Sequence, residues 1–161
     1  MTIAWAVAVL ALQGAPQEAP PAEKRTDALR RLYEKDRAGY GDALRLVLGL
    51  AKDAPVEGDF ASVQREAADR GLVDGAWALA EGAPVDKGTV AYMLVQALGI
   101  KGGLTMRIFG PSRRYAFREC VYRKLIGGGT PGEHVTGREL IDILAAAEDH
   151  KQGGTLDADR R

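Results

Sequence analysis

Apolar residues return every three or four positions along most of the chain, the spacing of amphipathic helices. Thr26-Asp27 opens the first such segment, which continues through Ala28, Leu29, Leu32 and Tyr33 and breaks at Gly39-Tyr40-Gly41. Asp42 caps the next, with Ala43, Leu44, Val47, Leu48, Leu50 and Ala51 on one face. After a linker at Pro55–Asp59, the pattern predicts a helix from Phe60 to Val73, stopped by a left-handed glycine at Gly71 or Gly75. Asp86 caps a helix from Lys87 to Leu98 that Gly99 closes. Gly102-Gly103 to Pro111-Ser112 reads as an irregular crossing with a short extended piece at Leu104–Phe109. A helix over Tyr115–Ile126, a glycine-dominated loop at Gly127–Gly132, and a last helix from the capping box Thr136/Glu139 to about His150 complete the series.

The pattern says one thing twice. Arg65-Glu66-Ala67-Ala68-Asp69-Arg70-Gly71-Leu72-Val73 recurs as Arg118-Glu119-Cys120-Val121-Tyr122-Arg123-Lys124-Leu125-Ile126 at an offset of 53. Val85-Asp86-Lys87-Gly88-Thr89-Val90-Ala91 answers Val135-Thr136-Gly137-Arg138-Glu139-Leu140-Ile141 at an offset of 50, the difference falling in the loop between. A helix–loop–helix unit of roughly 35 residues is too small to bury its apolar face alone, so copies must stack. The expected fold is all-α, with repeats at about 60–99 and 115–150. Residues 28–51 either form a degenerate third copy, through Arg30-Arg31-Leu32-Tyr33 and Asp42-Ala43-Leu44, or merely flank the pair.

The ends read differently. Ala4–Leu12 is an unbroken apolar run, too short to span a bilayer but suited to a secretory signal over residues 1–15. Residues 16–25, with three prolines, read as a flexible linker to a helical domain at 26–151; residues 152–161 read as a disordered tail. Export to the periplasm or cell surface of a bacterium is the expectation, with no transmembrane span in the mature chain.

Composition then narrows the chemistry. Twenty-two basic and 22 acidic residues cancel, so no whole-protein field draws nucleic acid. One cysteine and two histidines leave little for a disulfide framework or a metal, and Cys120, matching the small Ala67, reads as a buried apolar residue. Ser62 and Ser112 have no base beside them in the pattern, and Gly127–Gly132 lacks the Gly-Lys-Ser/Thr ending of a phosphate loop. The expectation is a protein without catalytic residues, cofactor or metal. The unusual stretch is Lys101–Lys124, where Lys101, Arg107, Arg113, Arg114, Arg118, Arg123 and Lys124 face the single acid Glu119, interleaved with Phe109, Tyr115, Phe117 and Tyr122. Planar guanidinium forks suit carboxylate or phosphate, and aromatic faces suit sugars. Arg107, Arg113, Arg114 and Arg118 are therefore candidates for an anionic polymer; the competing reading is a solvated face paired with the chain's own acids.

A helix ending in Gly-Leu-Val, a loop, and then Val85-Asp86-Lys87-Gly88-Thr89-Val90-Ala91 resembles the surface-layer homology module, whose signature is Ile-Thr-Arg-Ala-Glu-Phe-Ala at the start of its second helix. The likeness covers residues 60–150, or 28–150 with the weaker copy. It implies an envelope protein that holds an anionic or pyruvylated wall polymer through the signature's Arg and Glu with a Trp of the preceding loop. Lys87 stands where that Arg would be and Thr89 where the Glu would be; in the second copy Gly137 replaces the Arg, with Arg138 beside it. Trp77 lies in the corresponding loop. The resemblance thus adds Trp77, Lys87 and Arg138 as ligand candidates, with an envelope polysaccharide or, alternatively, an envelope protein as partner.

Overall fold

A computed structural model of the chain describes residues 21–77, 80–101 and 112–158, without the side chains of 21–25 and 154–158. The signal-like run, Arg107 and the Leu104–Phe109 piece lie outside them. Six helices are seen: α1 Pro21–Tyr33, α2 Tyr40–Lys52, α3 Phe60–Asp69, α4 Lys87–Ala97, α5 Arg113–Tyr122 and α6 Gly137–Ala158. Among the described residues there are only two isolated β-bridges and no strand, so the fold is all-α.

The first turn of each odd-to-even loop joins a common hub. The Ala38 N–H donates to the Val135 carbonyl (2.8 Å), the Val135 N–H to that of Val85 (3.0 Å), and the Val85 N–H to that of Ala38 (3.0 Å). These bonds close a ring of three. A second ring lies one step outward: Tyr40 donates to Ala83 (2.8 Å), Lys87 to Glu133 (2.9 Å) and Gly137 to Lys35 (2.9 Å). The first N–H groups of a helix have no partner inside it. Here α2, α4 and α6 each hand those orphan donors to the turn before the next helix start. Ala38, Val85 and Val135 are all essentially inaccessible, so the rings form where water cannot compete. Residues 35–52 thereby occupy the place in the ring that 83–97 and 133–150 occupy.

Around this hub the even helices pack inward. Leu44, Val47 and Leu48 of α2, Val90, Met93 and Leu94 of α4, and Leu140, Ile143 and Ala147 of α6 are buried with Val63, Ala67, Phe117 and Cys120 of the outer helices. α4 and α5 pack most extensively, and between them the Cys120 thiol lies 3.7 Å from the Ala91 carbonyl.

Several boundaries differ from the sequence expectation. α3 stops at Asp69 and α5 at Tyr122, each short of its following apolar pair. In both, the chain turns through a left-handed residue, Gly71 (φ 70°) and Lys124 (φ 59°). Matching bonds run from Leu72 to Ala67 and from Leu125 to Cys120, both 2.9 Å. Leu72-Val73 and Leu125-Ile126 are buried as the apolar seal of that turn, outside the helix. Asp42 is the third residue of α2 rather than its cap; its carboxylate accepts the Gly39 N–H at 3.0 Å. α1 begins at Pro21, inside the stretch read as linker, with proline at the first position, where its missing N–H costs nothing. α6 runs past His150 to Ala158, where a tail was expected from 152, because extending a formed helix adds one hydrogen bond per residue.

Candidate functional site

The site is built on the start of α5. Ser112 caps this helix, its hydroxyl accepting the Tyr115 N–H at 3.3 Å, and its next two residues are Arg113 and Arg114. Ala116, Phe117 and Cys120 face the core, which fixes the rotation of the helix and turns Arg114 and Arg118 to solvent, one above the other at i and i+4. Tyr122, a further turn along, is 83% exposed. Among the described residues neither Arg114 nor Arg118 forms an ion pair, although Arg123 does so with Glu119 at 2.8 Å.

Arg113 is held differently. Its guanidinium carbon lies 5.4 Å above the Trp77 ring, and its Nη1 lies 3.6 Å from an Asp86 carboxylate oxygen. Trp77 in turn packs against Tyr92 of α4, with ring centroids 5.0 Å apart, and its carbonyl accepts from the Gln64 amide at 3.4 Å. Asp86 also caps α4 through the Thr89 N–H at 2.7 Å. The helix start therefore fixes the acid, the acid and the indole fix Arg113, and Arg114 stands beside them with no ion pair among the described residues. A shallow cleft of about 370 Å³ opens between Asp86, Arg113, Arg114, Pro131 and Gly132.

Lys87 and Arg138 are elsewhere. Lys87 is 4% exposed, and its ammonium donates to the Gly128 carbonyl at 3.0 Å and pairs with Glu139 at 3.0 Å and Glu133 at 3.2 Å. Burial alone would lower its pKa, but the bonds to Glu139 and Glu133 outweigh that and raise it. The bond from Lys87, with the Thr130 N–H and the lysine's charge, holds the Glu133 carboxyl below its ordinary range. Two carboxylates and a carbonyl thus saturate the cation that the signature resemblance offered to a ligand. Arg138 stacks on the Tyr33 ring at 4.7 Å and donates to its hydroxyl, joining α6 to α1. Gly137, at the position of Lys87, is closed off: a Cβ there would overlap the Leu32 carbonyl oxygen. In α2 the same position is Tyr40, fully buried and edge-on to Phe60 at 6.0 Å. So Trp77, Arg113 and Arg114 come together with Arg118 one turn on, while Lys87 and Arg138 serve the joints between copies.

A second concavity was not signalled by any motif. Arg123, Lys124, Leu125, Ala146, Asp149, His150 and Gly153 line a cleft of about 460 Å³ where the end of α5 meets α6. The spacing of Lys124 from Asp149-His150 in the chain gives no hint that they meet.

Nothing in these arrangements forms a nucleophile with a base. The Ser62 hydroxyl donates to the Asp59 carbonyl at 2.8 Å, and Ser112 caps α5. Cys120 is buried, and desolvation, aided by the Glu119 charge and opposed by Arg123, pushes its thiol up to about 12. Among the described residues no three of His, Cys, Asp and Glu cluster as metal ligands, and no helix is long and apolar enough to cross a membrane. No known protein family, curated protein or solved structure matches the chain.

Proposed function

We propose that this is a non-catalytic protein of the bacterial cell envelope that associates with an anionic wall or envelope polymer through the outer face of α5. The observation that carries the reading is the pair of guanidinium groups, Arg114 and Arg118, that form no ion pair among the described residues and share one helix face beside the Trp77-backed Arg113. Most other basic groups with resolved contacts are already spent: Lys35 on Asp42, Arg45 on Glu81, Lys52 and Arg70 on Glu66, Lys87 on two glutamates, Lys151 on Asp53. Arginines left without acids retain their full capacity for a bidentate oxyanion. The surface-layer homology resemblance supports the same class of ligand but a different seat for it, since Lys87 is saturated. Purified wall material is the test. The double variant Arg114→Glu/Arg118→Glu keeps the wild-type thermal melt and loses most co-sedimentation with the wall. Undiminished sedimentation of that variant, or none by the wild type, sinks the proposal in favour of an envelope scaffold that docks only protein.

A further inference from the structure

We infer that the cleft between the starts of α4 and α5 receives a zwitterionic unit, with its anion on Arg113 and Arg114 and a neighbouring ammonium on Asp86. The inference rests on the polymer reading above and specifies its ligand as an anionic polymer whose units carry free amines.

The internal symmetry supplies the comparison. Each inner helix packs against the outer helix of the next copy around the ring: α2 with α3, α4 with α5, α6 with α1. Three equivalent grooves result, and the chain fills two of them itself. Over α2, Tyr40 packs edge-on to Phe60, and Arg45 pairs with Glu81 at 2.6 Å. Over α6, the Leu32 carbonyl presses on Gly137 and Arg138 stacks on Tyr33. At α4 the residues matching Arg45 and Glu81 are Tyr92 and Pro131, so that internal ion pair has no counterpart. Arg113 stands where α3 has Phe60, and Asp86 stands where α2 has the cap Gly39 and α6 has Thr136. Both charges are departures from the repeat, and with Arg114 they line the cleft.

The two poles are separate. One Asp86 oxygen is spent on the Thr89 N–H at 2.7 Å; the other, 3.6 Å from Arg113 Nη1, accepts no hydrogen bond among the described residues. That oxygen keeps its lone pairs for a donor, and the remaining lining, Pro131 and Gly132, offers it no side-chain donor. The start of α4 gives an anion no seat, because the N–H groups of Lys87, Gly88 and Thr89 already go to Glu133, Pro131 and Asp86. The start of α5 does: the Arg113 and Arg114 N–H groups have no partner among the described residues, and both side chains line the cleft. Trp77 braces Arg113 from 5.4 Å, so the guanidinium keeps its place when Asp86 turns to a ligand. A plain anion would meet the Asp86 charge across the cleft. An ammonium on the same ligand turns that repulsion into a charge-assisted bond.

The experiment titrates the full chain near neutral pH, by NMR, with aminoethyl phosphate and with its N-acetyl derivative, which keeps the anion and removes the ammonium. Wild type binds the amine form about fivefold more tightly, the upper range of an exposed ion pair. Its Arg113 and Arg114 amides shift with both probes, and the Asp86 carboxyl carbon shifts only with the amine. Asp86→Asn keeps an acceptor for the α4 cap and abolishes the preference, whereas Arg114→Gln weakens both probes alike. Solubilised wall polymer is then compared before and after N-acetylation, which weakens wild-type binding by a similar factor. Equal affinity for the two small probes, no binding of either, or a preference that survives Asp86→Asn overturns the subsite. Discrimination between the small probes with no effect of acetylating the polymer overturns the polymer's amine as the ligand. Neither result touches the polymer reading itself, which stands or falls with the co-sedimentation of Arg114→Glu/Arg118→Glu.

Discussion

The Lys87 ammonium lies 3.0 Å from a Glu139 carboxylate oxygen, a contact between the first turns of α4 and α6. Glu139 is the capping-box acid of α6, with its N–H on the Thr136 hydroxyl at 3.1 Å, and its carboxylate is spent on the neighbouring copy. One helix start therefore steadies the next, in side chains as in the backbone rings. Lys87→Ala removes the buried stem and three polar bonds together, so it is expected to cost about 2 kcal/mol by denaturant unfolding. Lys87→Met keeps the stem and is expected to cost about half as much.

The same cluster sets a pH window. Glu133 has a depressed pKa in the folded chain, so its contribution is present above the unfolded carboxylate value of about 4.3 and is lost as pH falls through the lower folded value. Lys87 has a raised pKa, so its contribution is complete below the unfolded value of about 10.4 and is lost as pH rises through the folded one. The buried Cys120 thiol, pushed up to about 12, begins the alkaline loss earlier, from its unfolded value of about 8.5, so thermal melts should be flat only between about pH 4.3 and 8.5 and fall on both sides. Glu133→Gln should flatten part of the acid flank and leave the alkaline flank to Cys120 and the Lys87–Glu139 pair; an unchanged acid flank would place that loss on other depressed acids, such as Glu66 beside Lys52.

Gly137 is predicted to be the least replaceable glycine. Its backbone passes so close to α1 that any Cβ overlaps the Leu32 carbonyl, whereas a Cβ at Gly75 meets nothing within 4 Å. Gly137→Ala should cost about 3 kcal/mol or more, because the rings forbid the helix start from moving away. Gly75→Ala serves as the near-neutral comparison, and urea midpoints distinguish them.

Cys120 should resist alkylation in the folded state. A buried thiol pushed up to about 12 is protonated at neutral pH, so labelling by iodoacetamide should proceed only through unfolding and accelerate with denaturant. Rapid native labelling would show that α4 and α5 separate readily.

How legible this was depended on what kind of signal each feature leaves. Asp86 caps α4 where side chain and backbone preference agree, and the apolar stripe of α2 was legible nearly position by position, whereas the start of α5 at Arg113, capped by Ser112, lies two residues before the expected Tyr115. α3 and α5 were read too long because Leu72-Val73 and Leu125-Ile126 continue the apolar rhythm, although they bury themselves only after the chain has reversed. The hub left almost no trace, being made of backbone groups; its only side-chain marks are Val85, Val135 and the unremarkable Ala38, set off by one extra residue in its turn. Lys87 misled because a lysine near a helix start is ordinarily solvated, and only the fold brings Glu133 and Glu139 to it. Arg113, Arg114 and Arg118 were legible as a group from local composition, but the division of labour among them came from Trp77 and Asp86.

The most direct measurement is an amide and indole NMR titration of the full chain with solubilised wall polymer. The account predicts shifts at Arg113, Arg114, Arg118, Tyr122 and the Trp77 indole, with the amides of Tyr40, Lys87 and Gly137 unmoved. Shifts centred on Lys87 and the hub, with α5 silent, would contradict it.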